Sequence, residues 1–216
     1  MIAMILAAGR GERLRPITDE IPKALVEVRG KSLLERQLEA VQAAGIETVV
    51  VNLGWLGEQI VDRIGSGSQF GLNVIYSPEG DNVLETGGGI HRALPMLGKE
   101  PFVVANADVY TDMPLPLEMD DDVDAQLMLV PNPAYRDSGD FDVRNGRAYR
   151  SESASLTFSG IALYRPAFFS SCEAGRFPLA PLLFNAADEG RLGAALYEGL
   201  WEDVGTPERL AAVNRD

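Results

Sequence analysis

The first half of the chain alternates between short apolar runs and segments in which apolar residues recur at helical spacing. Each apolar run predicts a strand, and the runs cover residues 2–8, 48–52, 72–76, 102–105 and 125–130. Helical spacing, with a capping-box pattern at 32–35 and a triple-glycine turn at 87–89, predicts helices over 32–45, 55–64 and 90–97. This alternation predicts an α/β fold: a Rossmann-like, mixed but mainly parallel central sheet with helices on both faces.

The pattern changes after residue 131. Asn145-Gly146 lies between two short β-prone segments, which is the strongest local signal for a hairpin. Further elements are expected as a strand at 156–164, a helix at 181–189, a strand at 194–197 and a helix at 207–213. We therefore expect one domain over 1–216, with a first part at about 1–131 and a more antiparallel second part at about 132–216.

Composition and charge exclude several classes of protein. The 216 residues are 46% hydrophobic, contain the single cysteine Cys172, and include no apolar stretch long enough to span a bilayer. We therefore expect a cytoplasmic protein. The net charge of −13 repels nucleic acid and anionic membranes, so neither is an expected partner. A small polyanion remains possible as a ligand where positive charge is concentrated.

Positive charge is concentrated just after the first predicted strand. Arg10, Arg13, Arg15 and Lys23 fall within 14 positions of a loop that also holds two glycines. Glycines let the backbone approach a ligand closely and point its N–H groups at phosphate oxygens. The loop is neither the dinucleotide fingerprint, because Leu14 stands where the third glycine belongs, nor a P-loop, because no Gly-Lys-Ser/Thr follows.

The complete segment 6–16, Leu-Ala-Ala-Gly-Arg-Gly-Glu-Arg-Leu-Arg-Pro, together with Pro22-Lys23, resembles the signature of sugar-phosphate nucleotidyltransferases. These enzymes join a nucleoside triphosphate to a sugar 1-phosphate. The resemblance implies catalytic roles for Arg13, Lys23 and Asp108. It also implies a nucleotide-binding set made of Leu6, Ala8, Gly9, Arg10, Gly11, Glu12, Arg13 and Lys23.

Two aspartates match the family's metal ligands. Asp108 follows the apolar strand 102–105, and Asp203 lies in the late segment Trp201-Glu-Asp-Val-Gly-Thr-Pro207. The carboxyl end of a central strand is where open α/β sheets bind ligands. Two carboxylates that leave positions for water and phosphate oxygens suit Mg²⁺, so the implied cofactor is Mg²⁺ held by Asp108 and Asp203.

The same resemblance suggests the substrates. Gly80 and Gly87 are the candidates for backbone contacts with the base, and the candidates for sugar contacts are Asn106, Asp140, Ser159 and Gly160. The segments 84–90, 139–141, 156–161, 179–183 and 201–206 resemble the members that handle N-acetylmuramate, which implies UTP and N-acetylmuramate 1-phosphate and a role in recycling cell-wall sugars.

The sequence leaves several alternatives open. The enzyme could instead be a mannose-1-phosphate guanylyltransferase or a glucose-1-phosphate thymidylyltransferase, or the chain could be a catalytically silent nucleotide-binding subunit. Larger relatives place a lysine on the sugar phosphate, but 151–154 contains none. Either Arg147 or Arg150 replaces it, or the metal alone bears that charge. No appended β-helix domain is expected after the late motif.

Overall fold

The structure is a computed structural model that describes residues 1–80 and 83–215. The helices are α1 (Ile17–Glu20), α2 (Leu33–Ala43), α3 (Gly57–Ile64), α4 (Glu85–Leu97), α5 (Ala180–Asp188) and α6 (Pro207–Arg215). The strands are β1 (Ala3–Leu6), β2 (Glu27–Val28), β3 (Lys31–Ser32), β4 (Thr48–Leu53), β5 (Asn73–Pro78), β6 (Phe102–Asn106), β7 (Val109–Thr111), β8 (Ala125–Pro131), β9 (Asp142–Arg144), β10 (Arg147–Tyr149), β11 (Leu156–Tyr164), β12 (Leu192–Leu196) and β13 (Trp201–Asp203). None of the helices in this part of the chain is long and apolar enough to cross a bilayer.

Within the described residues, nine strands form one mixed sheet in the order β5-β4-β1-β6-β11-β8-β12-β10-β9. The strands β5, β4, β1 and β6 run parallel, and β11 runs antiparallel to both of its neighbours. The predicted α/β fold with a mixed central sheet is confirmed, as is the more antiparallel second part. Because β8 lies between β11 and β12, both predicted parts contribute to one sheet.

Helices cover both faces of this sheet because its strands are apolar on both sides. In β1, Ala3 and Ile5 pack with Leu34 and Leu38 of α2 on one face. Met4 points to the other face, where the core contains residues of α4 and α5. The capping box predicted at the start of α2 is present, since Ser32 and Glu35 bond each other's backbone N–H groups.

A third apolar cluster lies outside the sheet and joins distant parts of the chain. Leu14 lies in the loop that follows β1, residues 7–16, here called the opening loop. It packs with Tyr110 of β7, Val204 after β13 and Val213 of α6. Leu14 and Val204 are fully buried. This cluster therefore fixes the basic opening loop against the late segment, which is the arrangement that the family resemblance requires.

The prediction of a turn at 87–89 is wrong, because α4 begins at Glu85 and contains all three glycines. They lie inside the helix because other groups approach it closely. A Cβ on Gly87 would lie 2.5 Å from the ring of Phe177, and one on Gly89 would lie 2.6 Å from Oε1 of Glu79. The predicted hairpin is correct, with Asn145 and Gly146 both at positive φ between β9 and β10. The short strands β7 and β13 were not predicted.

Candidate active site

The opening loop leaves β1 at the carboxyl end of the parallel strands and doubles back through Gly11. Gly11 has φ of +68°, and its carbonyl accepts a hydrogen bond of 2.9 Å from the hydroxyl of Thr18. A Cβ at this position would come within 3.0 Å of Cβ of Lys23. A glycine is therefore needed both for the left-handed backbone and for the close approach of Lys23.

Asp108 reaches the same edge of the sheet from the neighbouring strand β6. Ala107 is buried, and its N–H donates to the carbonyl of Leu6 over 3.1 Å, which extends the pairing of β6 with β1 beyond the strands. Asp108 follows directly, with its side chain 30% exposed. The prediction that this carboxylate lies at the carboxyl end of a central strand is confirmed.

The late motif arrives beside Asp108 through an antiparallel ribbon. In this ribbon Asp203 of β13 pairs with Val109 of β7. The N–H of Val204 then donates to the carbonyl of Asp108 over 3.0 Å. Two carboxylates that are 95 positions apart in the sequence are thus held next to each other by backbone pairing.

Lys23 lies between these two acids. Its Nζ donates a hydrogen bond to Oδ2 of Asp108 and lies 3.9 Å from Oδ1 of Asp203. Its side chain is only 12% exposed, so the stem is packed while the ammonium faces the carboxylates. On the far side of Asp203, Nη1 of Arg209 donates to Oδ2 over 2.7 Å.

The donor set fits a magnesium ion. Oδ1 of Asp203 is buried and has no hydrogen-bond partner among residues 1–80 and 83–215, which leaves an acceptor available for a cation. In the same part of the chain, no group of three or more His, Cys, Asp or Glu side chains could hold a metal ion. Two carboxylates without further protein ligands match the preference of Mg²⁺ for water and phosphate oxygens at its other positions.

Two cavities meet at these acids. The first, of about 210 Å³, opens at the end of β1 and is lined by Leu6, Ala7, Ala8, Gly9, Lys23, Ala24, Asn52, Glu79, Val83, Glu85, Thr86, Asn106, Ala107 and Asp108. The second, of about 450 Å³, is lined by Arg13, Asn106, Asp108, Val109, Tyr135, Arg136, Thr157, Phe158, Ser159, Trp201, Asp203 and Arg209. Asn106 and Asp108 belong to both, so the cavities are the two halves of one cleft.

A buried hydrogen-bond chain joins Ala7, Asn52 and Glu79, three residues that line the first cavity. The N–H of Ala7 donates to Oδ1 of Asn52 over 2.6 Å, and Nδ2 of Asn52 donates to Oε1 of Glu79 over 2.7 Å. Oε2 of Glu79 accepts from the N–H of Leu84 over 3.0 Å. Sequence reasoning missed Asn52 and Glu79, because neither belongs to the opening loop or to the acid pair.

The predicted nucleotide residues do not all reach the cavities. Leu6, Ala8, Gly9 and Lys23 line the first cavity, whereas Arg13 lines the second. The remaining loop residues, Arg10, Gly11 and Glu12, lie outside both linings. The guanidinium of Arg10 stacks 4.3 Å above the ring of Trp55. Arg10 is thus held against Trp55, while Gly11 contributes by its backbone conformation, which forms the turn.

Gly80 and Gly87, the two residues predicted to contact the base, lie away from the cavities. Gly87 faces Phe177 inside α4, and Gly80 is an exposed residue with φ of +73°. Neither lines the cavities formed by the described residues. The side chains of Glu79, Glu85 and Thr86 line this end of the first cavity instead, because α4 begins five residues earlier than predicted.

On the sugar side, Asn106 and Ser159 line the second cavity, but two other predictions need correction. Asp140 does not present a free carboxylate, because its oxygens accept from Nη1 and Nη2 of Arg136 and from the N–H of Phe158. Gly160 packs against Asn106, with φ of +83° at an irregularity in the pairing of β11 with β8. These two residues support the site and do not line it.

The cations proposed to replace the missing lysine lie elsewhere. Arg147 pairs with Asp120 and Asp122, and Arg150 pairs with Asp188. The second cavity instead contains Arg13, Arg136 and Arg209, of which only Arg13 was predicted. Arg209 follows the late motif by two positions, so its position in the sequence could have identified it; Arg136, in a loop between β8 and β9, gave no such signal.

Comparison with known proteins agrees with this geometry. The model of a family described as "Nucleotidyl transferase" matches residues 2–127, which contain the opening loop, Lys23 and Asp108. The chain is 45% identical to N-acetylmuramate alpha-1-phosphate uridylyltransferase of Neisseria meningitidis, over 97% of this chain and 95% of that protein. It is 36% identical to the protein of the same name from Caulobacter vibrioides, over 99% and 96%.

The fold is also found in solved structures. HddC from Yersinia pseudotuberculosis, crystallised in a complex with GMP-PN, superposes with a TM-score of 0.80 over 99% of this chain and 98% of that one. The two sequences are 23% identical, so this likeness concerns the fold alone.

Proposed function

The chain belongs to the nucleotidyl transferase family, and from that premise we propose that it transfers a uridylyl group from UTP to N-acetylmuramate 1-phosphate. The products are UDP-N-acetylmuramate and pyrophosphate. The observation that carries the proposal is the identity of 45% to a protein of that name over nearly the full length of both chains. Recycling of cell-wall sugars in the cytoplasm is the corresponding cellular role that we propose.

The cleft suits a reaction between two anions. We assign the triphosphate to the first cavity, where the glycine turn and Lys23 lie, and the sugar phosphate to the second, which three arginines line. The sugar-phosphate oxygen then attacks the α-phosphorus in line with the departing pyrophosphate. Lys23 and Arg13 reduce the repulsion between the reactants, and the backbone of the opening loop holds the triphosphate in line with the sugar phosphate.

The reaction requires no general base. The second pKa of a phosphate monoester is about 6, so the attacking oxygen is already ionised near neutral pH. The chain therefore needs to supply positive charge and orientation, which are the properties that Lys23, Arg13 and the backbone of the opening loop offer. Retention of Arg13, Lys23, Asp108 and Asp203 in one cleft favours an active enzyme over a silent subunit.

We further propose that Asp108 and Asp203 hold Mg²⁺, because backbone pairing places the two acids next to each other and one oxygen of Asp203 is buried without a hydrogen-bond partner among residues 1–80 and 83–215. When bound, the ion supplies positive charge that polarises phosphate oxygens and offsets charge on the leaving pyrophosphate. Arg209 keeps the carboxylate of Asp203 oriented through its bond to Oδ2.

Pyrophosphate release tests the assignment of the substrates. The protein is incubated in MgCl₂ with each of UTP, GTP, CTP and dTTP against a panel of sugar 1-phosphates that includes N-acetylmuramate, N-acetylglucosamine, mannose and glucose 1-phosphates. We expect the highest kcat/KM for UTP with N-acetylmuramate 1-phosphate. Highest activity with GTP and mannose 1-phosphate, or with dTTP and glucose 1-phosphate, would replace the proposal by the corresponding alternative.

Two variants show whether the activity belongs to this cleft. Asp108→Asn removes one charge from the acid pair and should reduce turnover at least about 100-fold while the circular dichroism spectrum stays unchanged. Asp62→Asn makes the same chemical change on the exposed face of α3 and should leave kcat within about twofold. Equal activities of the two variants would place the chemistry outside the cleft.

A further inference from the structure

N-acetylmuramate 1-phosphate, the substrate of the proposed function, carries two anionic groups. One is the phosphate at C1, which must lie at the acid pair to react. The other is the carboxylate of the lactyl ether at C3, which distinguishes this sugar from N-acetylglucosamine. A site that selects N-acetylmuramate needs a cation for this carboxylate, because an unpaired charge is costly to remove from water.

Arg136 is held in one orientation by the protein. Nη1 and Nη2 donate to Oδ2 and Oδ1 of Asp140 over 3.1 and 2.8 Å, which is a bidentate pair through the end of the guanidinium. The Asp140 carboxylate is itself fixed by the N–H of Phe158 over 2.9 Å. Nη1 also donates to Oγ1 of Thr157 over 3.4 Å, and the Thr157 hydroxyl donates to Asn132.

The side edge of the same guanidinium remains available. A guanidinium has five N–H donors in a planar fork, and Asp140 and Thr157 use the end edge and one outer hydrogen of Nη1. Nε and the second hydrogen of Nη2, which lie side by side, make no hydrogen bond to any residue within 1–80 or 83–215. The side chain is 36% exposed and lines the second cavity. Two parallel donors on a preoriented guanidinium match the geometry of one carboxylate.

The other two arginines of this cavity are placed at its reacting end. A Cβ on Gly205 would lie 3.0 Å from Oδ1 of Asp203, 3.1 Å from Nη2 of Arg13 and 3.2 Å from Nη1 of Arg209, so these groups surround one point. Arg209 is bonded to Asp203 and stacks 3.8 Å above the ring of Tyr135. Arg13 and Arg209 therefore lie beside Asp203, where the proposed function places the phosphate, whereas Arg136 is anchored by Asp140 and Thr157.

We propose that the free Nε/Nη2 edge of Arg136 binds the lactyl carboxylate of N-acetylmuramate 1-phosphate and thereby determines the choice of sugar. Asp140 accepts hydrogen bonds from Arg136 and does not line the cavity. It is therefore a positioning residue that acts through Arg136. The inference rests on the proposed function, because it presumes that the sugar carries this carboxylate.

The test compares two ligands that differ only in the lactyl group. Dissociation constants of N-acetylmuramate 1-phosphate and N-acetylglucosamine 1-phosphate are measured by calorimetry with a non-hydrolysable UTP analogue and MgCl₂ present. In Arg136→Gln the affinity for the first should fall about 10- to 100-fold, while that for the second changes less than about threefold. Arg136→Lys, which keeps the charge but not the paired donors, should give an intermediate loss.

Two further variants separate binding from folding. Arg150→Gln removes an arginine from a surface ion pair with Asp188, outside both cavities, and should change neither affinity. Asp140→Asn should weaken binding of N-acetylmuramate 1-phosphate less than Arg136→Gln does. The double variant should bind no more weakly than Arg136→Gln alone, because both changes act on one contact.

The outcomes distinguish the two proposals. A wild-type protein that transfers no uridylyl group to N-acetylmuramate 1-phosphate refutes the proposed function and, with it, the ligand of this site. A wild-type protein that does so, with Arg136→Gln and Arg136→Lys weakening both sugar phosphates equally or neither, refutes only the carboxylate site.

Discussion

At the scale of single residues, the first cavity depends on buried polar side chains that hydrogen-bond to one another and to the backbone. Asn52 is 3% exposed and serves two partners, the N–H of Ala7 in the opening loop and the carboxylate of Glu79. It therefore connects the end of β1 to the segment between β5 and α4. Such a group cannot be removed without leaving both partners unsatisfied in the interior.

We predict that Asn52→Ala lowers the free energy of unfolding by about 1–3 kcal/mol, because the N–H of Ala7 and an oxygen of Glu79 lose their partner. Urea unfolding at pH 7 measures the loss. The matched control is Asn73→Ala at the exposed start of β5, which should change stability by less than about 0.5 kcal/mol. Equal stabilities of the two variants would show that the buried chain is not a structural requirement.

The residue scale is also where sequence reasoning is weakest. The opening loop and Lys23 could be identified because their spacing is part of a long signature, and Asp108 and Asp203 because one follows an apolar strand and the other lies in the late motif. Asp140 and Arg136 could not be assigned in the same way, because their roles depend on which partner each side chain meets in three dimensions. The sequence does not distinguish an aspartate whose carboxylate faces a cavity from one whose carboxylate is paired with an arginine.

At the scale of elements, periodicity located the strands of the sheet and the helices α2 and α3 to within a few residues. It placed the end of α4 correctly but missed its first five residues, because glycine propensity suggested a turn where close packing against Phe177 and Glu79 requires glycines in a helix. It also missed β7 and β13, because each has only three residues and is stabilised by pairing with the other. Short strands of this kind lack a local periodic pattern.

The start of α2 offers a prediction about pH. Burial raises the pKa of Glu35, but hydrogen bonds from the backbone and hydroxyl of Ser32 and from Arg63 outweigh this effect, so the pKa is lowered overall. A lowered folded-state pKa means that Glu35 contributes stability above the ordinary glutamate pKa and loses it as the pH falls through the lowered value. We expect Ser32→Ala to cost about 1 kcal/mol at pH 7.

Denaturant unfolding as a function of pH checks this linkage. The difference in free energy of unfolding between the wild-type protein and Glu35→Gln should be largest near neutral pH and should shrink through the acid range. Glu58→Gln, at an exposed position in the first turn of α3, is the comparison variant for a glutamate outside a capping box. A difference for Glu35→Gln that does not depend on pH would contradict the linkage.

At the scale of the whole molecule, the chain has a net charge of −13, yet several of its cationic side chains lie in the cleft where the two anionic reactants meet. The third apolar cluster packs the opening loop against the late segment, and the ribbon of β7 and β13 places Asp203 beside Asp108. Lys23 lies between the two acids, and arginines line the second cavity. We infer that these distant segments form one catalytic unit.

The most direct test of this claim is a double-mutant cycle on kcat with Asp108→Asn, Asp203→Asn and the variant that carries both changes. If the two carboxylates act together, each single change abolishes most of the turnover and the double variant is scarcely slower than the slower single variant. If the two losses multiply, the carboxylates act independently and the account of a shared site is contradicted.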